Sequence, residues 1–121
     1  PRFAGLMVQL LHELKIKAQR TDGKPGSGPQ MLFRCIKNPV TQYFSINALK
    51  IGTTCRSEPI DLDNYVQTLD RDIVFVVGGF ARGSINIDWI DTKICFSKYP
   101  LSAACACSKI CFAFEKKWGV I

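Results

Sequence analysis

Phe3, Leu6, Met7, Leu10, Leu11 and Leu14 recur at steps of three and four residues, while Gln9, His12, Glu13 and Lys15 fall mostly elsewhere on the same wheel. That period belongs to an amphipathic helix with one apolar stripe, predicted over residues 3–14. The pattern then stops. Residues 20–29, "RTDGKPGSGP", crowd glycine, proline and serine together and predict a loop. "MLFRCIKNP" and "ALKIGTT" are short, rich in apolar or β-forming residues and closed by turn formers, so each predicts a strand. "DLDNYVQTL" opens on acidic residues suited to a helix N-terminus and predicts a short helix.

From Ile73 to Val77 every residue is apolar, and the run breaks at Gly78 and Gly79. A strand without alternation predicts burial on both faces, as in a parallel sheet covered by helices. "KICFS" repeats the pattern more briefly before Tyr99-Pro100, and residues 101–118 predict a closing helix that is apolar around most of its circumference. Strands alternating with helices define an α/β fold. With 121 residues the chain has the length of one domain with an ordinary core.

Charge changes this picture at one end. Residues 1–50 carry Arg2, Lys15, Lys17, Arg20, Lys24, Arg34, Lys37 and Lys50 against only Glu13 and Asp22, and the rest of the chain is balanced, so the net charge of +6 sits in the first part. Such a basic segment suits an anionic partner such as nucleic acid, or serves as a solvated surface. There is no signal-peptide pattern and no apolar run long enough for a membrane span, which points to a soluble intracellular protein without a membrane partner. The chain opens on a helical pattern without an initiator methionine, as a fragment of something longer would.

Candidate chemistry is sparse. Cys95, Cys105, Cys107 and Cys111 crowd the last third, and Cys35 and Cys55 precede them. There is no C-x2-C pair and only one histidine, His12, so a structural zinc site lacks its ligands and no metal is expected. A disulfide framework suits small secreted domains without a core, which this is not. Free thiols packing as small apolar groups fit better. His12 stands beside Glu13 with no G-x-S-x-G nucleophile signature in the chain, and its expected role is structural or that of a surface residue. In "GGFARGS", Gly78 and Gly83 keep the outer spacing of a phosphate-binding loop, but the lysine is missing and Ser84 stands in its place. G-x-G-x-x-G is absent as well. Two readings remain for this segment: a backbone-lined ligand loop at the carboxyl end of a strand, or a tight structural turn.

In order and wording, "RFAGLMVQLLHEL", "IKNPV", "DIVFVVGGFARG", "YPLSAA" and "FAFEKKWGVI" resemble the carboxyl half of the eukaryotic nucleolar essential protein family. Its members are SPOUT-class ribosomal RNA pseudouridine-N1 methyltransferases. The resemblance covers essentially the whole chain. It implies a single domain, residues 1–121, that is the carboxyl-terminal part of a SPOUT methyltransferase domain whose amino-terminal part is absent. The implied fold is a mainly parallel sheet covered by helices, ending in a trefoil knot.

The methyl donor implied is S-adenosyl-L-methionine (SAM), held by three knot loops. Carried over by position, these contain Ile51 and Thr53, then Gly78 and Gly83, then Phe96, Ser97, Lys98, Tyr99, Pro100 and Leu101. The glycines would let backbone approach the ligand, and apolar loop residues would cover the adenine. The cysteine-rich helix after the last loop would be buried, its thiols packing, and would reach a dimer interface. Arg2 matches a family RNA-binding arginine. Arg82, by its position within the glycine loop rather than by the resemblance, reads either as facing RNA or the SAM carboxylate or as a solvent-exposed loop arginine. The family's catalytic acidic and arginine residues lie in its amino-terminal half, so no catalytic residue is assigned here.

The resemblance further implies small-subunit ribosomal RNA and pre-ribosomal assembly factors as partners, a homodimer, and a nuclear, nucleolar location. The reading from another class is a ribosome assembly factor that binds RNA and proteins without catalysis. A generic nucleotide-binding domain is weakened by the missing phosphate-loop lysine.

Overall fold

The first helix forms where the period of three and four places it. In the computed structural model, which describes residues 1–18, 28–79 and 86–121, helix α1 runs Arg2–Glu13. Its stripe is only partly covered: Leu6, Met7 and Leu10 are half-buried, while Phe3, Leu11 and Leu14 are exposed. Leu14 ends the helix in the left-handed conformation, φ 62°, its N–H donating to Leu10 O. Cys35 N–H in turn donates to Leu14 O at 2.8 Å. The chain then enters strand β1, Lys15–Ala18, which pairs antiparallel with β2, Gln30–Arg34. With α1 beside β1, these elements make one compact unit, Pro1–Gln42. Most of the predicted loop, residues 20–27, lies outside the described residues.

A second compact unit comprises Tyr43–Ile121. It follows a 3-10 turn, Val40–Tyr43, and contains β3, Leu49–Thr53; α2, Leu62–Gln67; β4, Ile73–Val76; β5, Thr92–Ile94; and α3, Ala103–Trp118. The sheet order is β4-β3-β5, and both pairings are parallel. The fold is thus mixed α/β with a parallel sheet.

Alternation sorts the residues of β3. Ile51 points into a core with Ile94 of β5, Leu62 and Val66 of α2, and Ile110 and Ala113 of α3. Gly52 points the other way. A Cβ there would lie 2.9 Å from Cδ1 and 3.3 Å from Cγ2 of Ile90, so only glycine lets that side chain settle on the sheet without a shift. Helix α2 is capped by Asp61, whose carboxylate accepts the Asn64 N–H at 3.2 Å, and is tied to α3 by the Lys116–Asp63 pair at 2.8 Å. Lys117 Nζ donates to Val66 O and Leu69 O, carbonyls at the end of α2. Gly119, at φ 68°, ends α3 in the left-handed region that glycine adopts without strain.

Two expectations are corrected. The run at residues 73–77 is half-buried, not enclosed on both faces. In the described sheet β4 is an outer strand, so Ile73, Phe75 and Val77 pack on the core while Val74 and Val76 share the opposite face. The cysteine-rich helix is also less buried than its composition implies. Ala106, Ile110 and Ala113 take the buried face of α3, leaving Cys105, Cys107 and Cys111 exposed; only Cys95 of the six thiols is buried. This stripe of α3 faces α2 and the core, and the cysteines fall to either side of it.

Asp91 fastens the start of β5 to β3. It accepts Lys50 N–H at 2.9 Å and faces Lys50 Nζ at 3.8 Å, while its own N–H donates to Lys50 O at 2.8 Å. Chiefly through the backbone hydrogen bond from Lys50, and then through the positive charges of Lys50 and Arg71, the Asp91 carboxyl is held below its ordinary value of 3.8. A depressed carboxylate contributes stability that is present above the unfolded-state pKa and lost as pH falls through the folded one. Asp91→Asn should therefore lower stability at neutral pH and reduce the loss seen on acidification below about pH 4. Urea midpoints of the two proteins against pH would measure this.

Candidate functional site

Parallel pairing delivers three chain segments to one edge. Thr53 pairs with Ile94 and Gly52 with Val76, so the carboxyl ends of β3, β4 and β5 stop nearly level. The segments that leave them, beginning at Thr54, Val77 and Cys95, emerge side by side. Open α/β sheets commonly bind ligands at this edge.

Hydrogen bonds fix the segments after β3 and β5 to each other. Thr54 N–H donates to Ile94 O at 2.9 Å, and Ile60 N–H to Cys95 O at 2.8 Å, so the loop after β3 is tied to β5 at two points. The buried Cys95 thiol donates to Ser97 O at 3.1 Å, and Tyr99 N–H donates to Ser97 Oγ at 3.2 Å. Ser102 closes the loop: its Oγ accepts Cys105 N–H at 3.2 Å and starts α3. An N-cap of this kind contributes about 1 kcal/mol, and here it also sets where the loop ends.

Among the residues carried over from sequence, Thr53, Gly78 and the run Phe96, Ser97, Lys98, Tyr99, Pro100 and Leu101 all stand at this edge. Phe96, Ser97 and Leu101 are half-buried, and Lys98, Tyr99 and Pro100 are exposed. Gly78 and Gly79 are exposed, and a Cβ at Gly79 would meet nothing within 4 Å. Ile51 is fully buried in the core, where it supports the sheet beneath Thr53 on the same face. Gly83 and Arg82 lie outside the described residues. Arg2 is exposed in the first turn of α1, in the other unit. Sequence reading assigned no site role to Thr54, Cys95 or Ser102, and took Gly79 only as part of the glycine loop. Only Ser102 carried a legible signal, a serine just before a helical run; the others are recruited by strand pairing.

An open groove of about 1020 Å³ lies between α3 and the start of β4, lined by Leu69, Arg71, Ile73, Phe114 and Trp118 among others. It is at the amino end of β4 and contains none of the carried-over residues. The edge at the carboxyl ends of the strands is the better candidate, because its groups converge from three strands. Among the described residues no three His, Cys, Asp or Glu side chains group as metal ligands, and no helix is long and apolar enough to cross a membrane.

Fold and edge together describe a parallel-sheet α/β unit with loops suited to a small ligand. The EMG1/NEP1 methyltransferase family model matches residues 1–115, and the chain belongs to that family. It is 46% identical over 121 residues to the ribosomal RNA small subunit methyltransferase NEP1 of Mus musculus, a match covering 99% of this chain and 46% of that protein. The protein of the same name from Homo sapiens is 45% identical over 122 residues, again covering 99% of this chain and 46% of its own length. That of Drosophila melanogaster is 39% identical over 128 residues, 99% of this chain and 48% of its own. The chain thus spans about half the length of the curated relatives it matches.

Proposed function

We propose that this chain is the cofactor-binding part of a SAM-dependent methyltransferase acting on N1 of a pseudouridine in small-subunit ribosomal RNA, in ribosome biogenesis. The observation that carries this reading is the convergence of Thr53, Gly78 and the 96–101 loop at one edge of a parallel sheet, in a chain of this family. Both units then belong to one methyltransferase domain, of which the chain is the carboxyl-terminal part. Its carboxyl end forms a trefoil knot, the protein works as a homodimer in the nucleolus, and pre-ribosomal assembly factors accompany it.

The edge suits SAM in kind. Exposed glycine backbone at Gly78 and Gly79 offers close approach, while half-buried Phe96 and Leu101 offer apolar cover to an adenine. When bound, SAM supplies an electrophilic methyl on a sulfonium. Methylation of pseudouridine N1 would leave S-adenosylhomocysteine and pass the N1 proton to a base or to water, while the Gly78–Gly79 backbone and the 96–101 loop would hold the donor. Most of the work of this chain is positioning, which can supply roughly 7–11 kcal/mol of a barrier. The hydrogen bonds of Cys95, Ser97 and Ser102 hold the loop that fixes the donor. Arg2, and Arg82 outside the described residues, contribute positive charge toward the RNA backbone.

Calorimetric titration of the intact protein with SAM, with ATP as the control ligand, tests the reading. Saturable heat from SAM and none from ATP is expected. A folded protein that binds ATP, or neither compound, overturns it.

A further inference from the structure

In β1 the residues Lys15, Ile16, Lys17 and Ala18 alternate, and Ile16 is the buried one. Strand pleating therefore puts Lys15 and Lys17 together on the opposite face, about 7 Å apart. A third cation comes from β2, where Arg34 is the cross-strand partner of Lys15. All three side chains are exposed. Met31, 43% exposed, stands opposite Lys17.

Like charges placed directly opposite in an antiparallel pair destabilise it, and among the described residues no ion pair relieves this one. Among the described residues the ion pairs are Lys50–Asp91 and Lys116–Asp63, neither of which involves the hairpin. Gln9 engages Glu13, the acidic residue of α1, in a hydrogen bond at 3.3 Å. The pairing register shifts between Ile16 and Lys17, an irregularity that increases local twist and leaves the two cationic positions on a curved face. Nothing in the packing of Ile16 requires a cation on either side of it. A polyanion laid across the face would turn the repulsion between Lys15 and Arg34 into a shared attraction.

We propose that the outward face of the β1–β2 hairpin, formed by Lys15, Lys17 and Arg34, is a docking surface for the phosphodiester backbone of RNA. The proposal rests on the reading that the protein acts on ribosomal RNA, and it adds a contact surface on a different unit from the cofactor loops. Among the described residues these cations have no fixed hydrogen-bond partners that would aim them at base edges, so the contact is to phosphates and carries little sequence preference. Lys15 and Lys17, two residues apart on one strand face, suit neighbouring phosphates of a single strand, and Met31 offers a base an apolar surface.

The test compares the intact protein with its Lys15→Gln/Lys17→Gln/Arg34→Gln variant, binding a labelled single-stranded oligoribonucleotide across a range of salt. Losing three phosphate contacts should make the slope of log K against log salt shallower by about 2, which is about fiftyfold in affinity near 0.15 M salt. The melting temperature should hold or rise, because the opposed like charges are gone. An Arg71→Gln/Lys109→Gln control, with charges removed from the other unit, should leave the slope in place. The proposal is overturned if the triple variant binds RNA as the parent does, or if the control loses as much per charge. It is also overturned if the hairpin variant loses binding to polyglutamate and keeps binding to RNA. SAM titration of the same proteins separates the two readings. A parent that binds RNA through the hairpin but never binds SAM refutes the methyltransferase reading alone. A triple variant with unchanged RNA binding, in a protein that does bind SAM, refutes this proposal alone.

Discussion

Ile51→Ala is expected to lower the free energy of unfolding by roughly 2–5 kcal/mol, whereas Ile46→Ala should change it by less than about 0.5 kcal/mol. The two substitutions remove the same atoms from opposite environments: Ile51 is 0% exposed and Ile46 is 98% exposed. Ile51 stands on the central strand, against both helices and both outer strands, so its truncation opens a cavity lined by Val66, Ile94 and Ile110 that rigid neighbours fill poorly. A loss of that size is a large fraction of the 5–15 kcal/mol that holds a typical domain folded. It should also loosen the level strand ends from which the candidate loops emerge. Urea denaturation of both variants measures the contrast. Equal losses would show that the core is not organised around β3.

The elements that sequence revealed are those with enough residues to show a period. The stripe of α1, the compact runs of β3 and β4, and the long apolar α3 each repeat a signal several times. Strand β1 holds one buried residue, Ile16, between two lysines, and alternation over four positions cannot be told from chance. It becomes a strand because β2 returns to pair with it from beyond the 20–29 segment, a non-local fact. Burial was harder to read than element type. The apolar run of β4 suggested enclosure, but enclosure depends on how many strands flank it, and here β4 is outermost in the described sheet. On α3 the cysteines look like core by composition, yet the face packed on α2 and the core went to Ala106, Ile110 and Ala113, which share one side of the helix.

The candidate site was legible only in part, and for a physical reason. No residue in it has a distinctive reactive group. Its loops were named through resemblance, and what marks them physically is position at the carboxyl ends of parallel strands. That position arises from the pairings of Thr53 with Ile94 and Gly52 with Val76, each of which joins residues more than twenty apart in sequence. Cys95 shows the same limit. As a lone cysteine it reads as packing, and only in the folded chain does its thiol meet Ser97 O and brace the loop.

Gly79 allows the cofactor reading to be separated from folding. Among the described residues nothing lies within 4 Å of where its Cβ would be, and the residue is exposed, so Gly79→Leu should change stability by no more than about 0.5 kcal/mol. If the loop after β4 meets SAM through its backbone, an isobutyl group at this position occupies the space through which the ligand approaches. SAM affinity should then fall about thirtyfold or more, roughly 2 kcal/mol of binding. Gly52→Val should behave in the opposite sense. There the added atoms meet Ile90 and Lys93, so the loss appears in stability, by about 1–3 kcal/mol, whatever happens to binding in the molecules that fold. Calorimetric titration with SAM beside thermal melts of both variants separates the two effects. A Gly79→Leu protein that melts and binds SAM as the parent does would remove the loop after β4 from the pocket and leave the segment after β3 and the 96–101 segment as its remaining candidate walls.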